Sequence, residues 1–430
     1  MSFDYPVTAA TLDNGTHVLI SEDHLVPEVS INIAMDVGSR HEVAGETGLA
    51  HLFEHLMFEG SANVSEGEHF ALLMGHGGRC NATTSFDQTT YYETVPRGAT
   101  ELALWLEADR HTGLLPALTQ ENLDNQRDVV VEEKRQRNDN QPYGDALEAM
   151  CAVTFTEDHP YRHTPIGSMQ DLRAASLDTV RTFYANHYRP ERRILTIVGD
   201  LGVDQGMEWA QKYFGEPATS GDQHVAAALG PGTPPLAPHT TRLHRAMGGE
   251  VPNDRLYTCF RLPEVTSHHF MASVLALDLV AGMTSSLVQR RLVRQDESAI
   301  DCAAGALGLR DGTSLGYIVI DVAPDFSLER VEAGLCEELS AFLADGPHAE
   351  RLAAVHADSA RSWLGACGSI ESRADIIGHG MARHGDPGYI NTYLDRLRSI
   401  SPEQICAAAQ RYLTPQTAAM VTYRRQGAAA

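Results

Sequence analysis

The spacing of apolar and polar residues changes several times along the first half of the chain, and each change predicts an element. Thr11-Leu12-Asp13-Asn14-Gly15-Thr16-His17-Val18-Leu19-Ile20 sets two short runs around an Asn-Gly pair, which predicts a β-hairpin. Val29 to Val37 alternates imperfectly and predicts another strand. Gly48 to Phe58 is an apolar segment that reads as a helix, and a second helix is expected near Gly67–Met74, ended by Gly77-Gly78. Cys80–Val95, rich in Thr and Tyr, predicts a strand pair, while Glu101–Thr112 and Glu121–Asn138 carry helical periodicity.

Periodicity fades between 216 and 249, where Pro217, Gly221, Gly230, Pro231, Gly232, Pro234, Pro235 and Pro238 crowd together. That composition predicts a linker. The flanking stretches, 1–215 and 250–430, are each of domain size, and 430 residues are too many for one core. The two also echo one another. Phe183-Tyr184-Ala185-Asn186-His187-Tyr188-Arg189-Pro190 leads into Ile194–Asp200, and Ala409-Gln410-Arg411-Tyr412-Leu413-Thr414-Pro415 leads into Ala418–Tyr423. Each is an amphipathic helix, a Tyr/Pro turn and an apolar strand. The expected fold class is therefore α+β: two similar domains in tandem, each a mostly antiparallel sheet with helices packed on one face.

Composition narrows the function. A net charge of −24 argues against nucleic acid, whose phosphates would be repelled. No stretch approaches the roughly 20 apolar residues of a membrane span. Met1–Pro6 lacks a basic region followed by an apolar run, so no signal peptide is visible. The expected compartment is the cytoplasm, or the periplasm if a signal has been removed. Seven cysteines stand singly with no Cys-x-x-Cys pair, which argues against a disulfide framework and a thiolate metal site.

The chemistry is concentrated in His51-Leu52-Phe53-Glu54-His55. On a helix His51 and His55 lie one turn apart on one face, the spacing two imidazoles need to hold one zinc ion, with Glu54 on the adjoining edge. The Glu stands at the opposite end from the commoner His-Glu-x-x-His signature. An ordinary surface or core His pair has the same spacing, so the metal reading needs a third ligand.

Gln126-Arg127-Asp128-Val129-Val130-Val131-Glu132-Glu133 follows some seventy residues later. With it the chain resembles the pitrilysin family of inverted-motif zinc peptidases, which includes mitochondrial processing peptidase and insulin-degrading enzyme. Asp36-Val37-Gly38-Ser39-Arg40, Gly45–Ala50, Gly78-x-x-Asn81-Ala82-x-Thr84, Asp87-x-Thr89-x-Tyr91, His159-Pro160-Tyr161 and Ile166-Gly167 extend the resemblance in family order. It implies Glu133 as the third ligand, with Glu132 as the alternative one residue away. It also implies an edge strand carrying Asn81 and Ala82 on which an extended substrate lies. Gln126 departs from the Glu found in many relatives and adds no charge.

The resemblance implies peptide hydrolysis by a zinc endopeptidase whose domain 1–215 is catalytic and whose domain 250–430 has no metal site. Three protein ligands leave zinc a fourth position for water, and Glu54 would take that water's proton and pass it to the leaving amine. Relatives carry an Arg/Tyr pair in the second domain. Matched without gaps, those positions hold Val293 and Ile300, with Arg294 and Tyr317 outside the pattern. A partner subunit of the same family supplying the pair, with this chain as the zinc-bearing subunit of a hetero-oligomer around an enclosed chamber, would explain the loss. The alternative is a non-catalytic structural or pairing subunit of a processing-peptidase-like complex.

Overall fold

The computed structural model describes residues 4–216 and 233–425. Of the stretch 216–249, residues 217–232 lie outside those described, and His244–Gly249 form a strand. The chain divides into two compact units that do not follow a single cut. One comprises 1–133, 164–231 and 363–393; the other comprises 134–163, 232–362 and 394–430.

The first unit is built on a six-stranded sheet of β1 (Thr8–Thr11), β2 (His17–Glu22), β3 (Glu28–Met35), β4 (Arg79–Thr84), β5 (Thr89–Pro96) and β6 (Arg193–Gly199), in the order β1-β2-β6-β3-β5-β4. All neighbours are antiparallel except β2 and β6. The Asn14-Gly15 turn joins β1 to β2 with Gly15 at φ +94°, the left-handed conformation that Asn-Gly pairs supply. Val29, Ile31, Ile33 and Met35 of β3 bury one row of side chains under the helices Leu49–Leu56, Thr100–Ala117 and Leu177–His187. A second cluster, of Leu19, Ala34, Ile194 and Val198, packs against Ile370, Ala374 and Ile377 of the helix Ile370–His384. That helix comes from the far end of the sequence, and Gly378 lets it lie close against Thr196 and Asn32.

The second unit holds a five-stranded sheet of β7 (His244–Gly249), β8 (Arg255–Pro263), β9 (Ala299–Leu307), β10 (Thr313–Val322) and β11 (Ala419–Arg425), ordered β7-β11-β8-β10-β9. The late strand β11 runs parallel to β7 and antiparallel to β8, as β6 does between β2 and β3. Apart from the extra β1, the two strand orders are the same. The repeated helix, turn and strand in the sequence is thus the closing strand of each sheet. Helix Ala146–Thr154, from the N-terminal part of the chain, packs on β8 and β11.

Candidate metal centre

The helix Leu49–Leu56 opens at Gly48, whose φ of +93° only glycine adopts readily. Its first amides are held from outside the helix. The Glu42 carboxylate accepts from Gly48 N–H at 2.9 Å and Ala50 N–H at 2.8 Å, placing a negative group at the positive end of the helix. Gly167 crosses directly beneath. A Cβ there would lie 2.3 Å from the Gly48 nitrogen, so the two loops touch backbone to backbone. Leu49, Leu52, Phe53 and Leu56 anchor the helix in the core, leaving His51 and His55 half-buried on its outer face.

The helix Gln120–Lys134 supplies the third group. Leu123 and Val130 bury its inner side, and Arg127 ties it down by donating to the Ala175 carbonyl at 2.7 Å. Glu133 Oε2 then stands 3.7 Å from His51 Nε2 and 3.3 Å from His55 Nε2. Donors about 2.0–2.2 Å from a tetrahedral zinc stand about 3.3–3.6 Å from one another. The donor set of two imidazoles and one carboxylate, with its ligand atoms all within 4.8 Å, therefore fits that ion. Glu132, the alternative, is exposed and does not join the group. Burial alone would lower the His55 pKa, but the hydrogen bond and charge of Glu133, with Glu54 and Gln126, outweigh it and hold it above the ordinary value. The site's electrostatics thus favour positive charge where a cation would sit.

Glu54 is buried beside the two histidines and accepts a hydrogen bond from the Thr84 hydroxyl of β4. Side chains at 82 and 84 share one face of β4, so Ala82 buries toward the motif helix while Thr84 reaches Glu54. Among the described residues no strand pairs with the other side of β4. Asn81 is exposed, and its side chain caps the Ala82 N–H at 2.9 Å.

Behind His55, its Nδ1 lies 3.3 Å from Gln126 Oε1, and Gln126 Nε2 donates to Glu59 Oε1 at 2.7 Å. Asn122 Nδ2 donates to the other Glu59 oxygen at 3.1 Å. The sequence patterns mark neither Glu59 nor Asn122, and they include Thr84 without giving it a role. The available signals were the four-residue step from His55 to Glu59 and the two-residue step from Ala82 to Thr84.

A second group of metal-ligand types, His69, Glu93 and Glu107, lies wholly buried in the same unit. Arg110 occupies it: Glu107 accepts from both Arg110 Nε, at 2.9 Å, and the adjacent guanidinium nitrogen. The guanidinium is itself sandwiched between the Phe58 and Tyr91 rings, 4.6 Å from each centroid. Burial and the Glu107 charge raise the Glu93 carboxyl well above the usual range. A positive group already stands there, and this is a buried ion cluster around the Arg110 guanidinium.

In the second unit Val293 packs against the core within a π-helical turn, and Ile300 on β9 is half exposed. Arg294 is exposed. Tyr317 lines a cleft of about 510 Å³ with Arg255, Tyr257 and Asp321, its hydroxyl lying over Gly305.

Residues 17–165 match the family described as Insulinase (Peptidase family M16), and residues 174–357 match its companion, the Peptidase M16 inactive domain. The chain belongs to the M16 peptidase family. A zinc protease of Helicobacter pylori, PqqE, is 32% identical over 207 residues, 48% of this chain and 46% of that protein, so the match spans about half of that relative. An uncharacterized zinc protease of Mycobacterium tuberculosis is 27% identical over 415 residues, covering 96% of this chain and 92% of that one. The crystal structure of a protease from Helicobacter pylori shares the fold, with a TM-score of 0.89 at 22% identity over 98% of this chain and 100% of that chain. The α+β class and the tandem arrangement of two M16 domains expected from the sequence are those of the family. No helix among the described residues is long and apolar enough to cross a membrane.

Proposed function

We propose that the chain is a zinc-dependent endopeptidase acting on peptides or unfolded segments. The observation that carries this reading is the convergence of His51, His55 and Glu133 from two helices, with Glu54 beside them. His51 and His55 through Nε2, and Glu133 through its carboxylate, would hold the ion. Bound zinc would supply Lewis acidity toward the scissile carbonyl and lower the pKa of water. Glu54 takes the proton of the attacking water and returns it to the leaving amine, and the Thr84 hydroxyl fixes the carboxylate's orientation for both transfers. Substrate backbone adds to the open side of β4 beside Asn81 and Ala82, which brings an extended peptide past Glu54.

Glu54→Gln keeps an acceptor for Thr84 but removes the proton carrier. It should leave zinc content unchanged and lower hydrolysis of a quenched peptide by at least about 10²-fold, the low end for a lost general base. Near wild-type turnover in zinc-loaded E54Q protein would sink the assignment.

Val293 and Ile300 offer no side-chain hydrogen bond to a substrate carbonyl. We infer that a partner subunit of the same family completes the active site; one relative is named a probable mitochondrial-processing peptidase subunit beta. Affinity isolation from the native cell, followed by native mass measurement, should return a complex with a second M16 chain. Full peptidase activity of the isolated chain, unchanged by its co-isolated proteins, would refute this.

A further inference from the structure

Three side chains behind the metal centre form a chain of hydrogen bonds with only one self-consistent polarity. The Glu59 carboxylate can only accept, and it faces two amides one turn apart on the helix Gln120–Lys134: Asn122 Nδ2 at 3.1 Å and Gln126 Nε2 at 2.7 Å. Because the Gln126 amide must turn its nitrogen to Glu59, its oxygen must face His55 Nδ1, 3.3 Å away. That oxygen only accepts, so Nδ1 carries the ring proton. In the neutral ring that a metal ligand must be, the proton is therefore absent from Nε2, the nitrogen that faces Glu133 Oε2 at 3.3 Å. Neither Glu59 nor Gln126 is within the ligand set. Together they act as a carboxylate bonded to the imidazole at one remove, with the amide transmitting polarity.

We propose that Glu59, acting through the Gln126 amide, is a positioning residue that fixes the tautomer of His55 and raises the affinity of the site for its divalent cation. This rests on the reading of His55 as a ligand. A glutamine at 59 cannot accept from both amides. Either it loses a partner, or Gln126 turns over and presents N–H groups to His55 Nδ1, which drives the ring proton onto Nε2. Exchanging both residues restores a consistent chain: a carboxylate at position 126 accepts directly from Nδ1, and an amide at position 59 donates to that carboxylate while accepting from Asn122.

The test is competition for zinc between a chromogenic chelator and the full-length chain, comparing wild type, Glu59→Gln, Gln126→Leu and the double exchange E59Q/Q126E. Wild type should bind one zinc. E59Q and Q126L should bind it about 10–100-fold more weakly, the usual cost of losing support behind a ligand, with metal-free melting temperatures unchanged. The double exchange should recover most of that loss, which a merely structural role for either residue would not produce. Wild-type affinity in both single variants, or no recovery in the double exchange, overturns the proposal while leaving the zinc site standing. Failure of the wild-type chain to bind zinc would instead overturn the site itself.

Discussion

Two neighbouring glutamates with opposite surroundings show how a single residue's direction decides its chemistry. Glu132 and Glu133 point about 100° apart on their helix. Glu133 turns inward to within 3.3 Å of His55, while Glu132 is exposed. Glu133→Ala should strip zinc at moderate chelator concentration, and Glu132→Ala should bind zinc as wild type does, as read by metal analysis after dialysis. Equal retention in both variants would remove Glu133 from the ligand set. At this scale the sequence was generous: His51, Glu54 and His55 are legible from spacing alone. Glu59 and Asn122 were not, and Thr84 stood in the quoted strand pattern without a role, because these roles depend on which atoms meet across separate elements.

At the scale of elements, the motif helix is placed by loops as much as by its apolar face. Gly167 sits at φ +65° with the Gly48 backbone where a Cβ would lie. Gly45, at φ +90°, has open space around it. Gly45→Ala should therefore cost only the left-handed conformation, about 1–2 kcal/mol. Gly167→Ala adds an overpacking cost of about 1–3 kcal/mol and should also weaken zinc binding by displacing the helix. Urea unfolding of both variants checks the order; equal losses would show that the loop crossing is yielding. The strands and helices themselves were largely readable. The Asn-Gly hairpin, the Thr- and Tyr-rich strand pair and the two closing strands all follow from local pattern, because each is decided by neighbours in sequence. The helix Ile370–His384 carries no local mark of the sheet it covers.

Across the whole molecule, buried histidines link stability to pH. Burial pulls His69 down to about 2, with Arg110 adding to the effect. Burial likewise holds His41 at about 3, with Arg40, and His187 at about 4, with Arg192. Each is neutral when folded and takes up a proton on unfolding once the pH falls below the unfolded value of about 6.5. The unfolded state then binds more protons, so stability is fully present above that value and is lost as the solution is acidified. Each such histidine contributes a slope of about 1–1.4 kcal/mol per pH unit between about pH 6 and 4.5. His69→Gln should flatten the measured slope of zinc-free protein by about that amount; an unchanged slope would show that His69 is already charged in the folded state.

What the sequence determined by itself was local or periodic: the elements, the repeated helix-turn-strand unit, the acidic balance and a His-x-x-Glu-His spacing that one helix turn converts into a shared face. What tertiary structure decided was everything that depends on distant segments arriving together. It brought a glutamate from the helix Gln120–Lys134 to 3.3 Å from His55, and it linked Gln126 to Glu59 behind that ring. It also set residues 363–393 among those of the first unit and 134–163 among those of the second. Periodicity fixes which face of an element is apolar, since that depends only on residues a few positions apart. It cannot fix which surface covers that face, because equally apolar faces on either side of a long connection satisfy the same pattern.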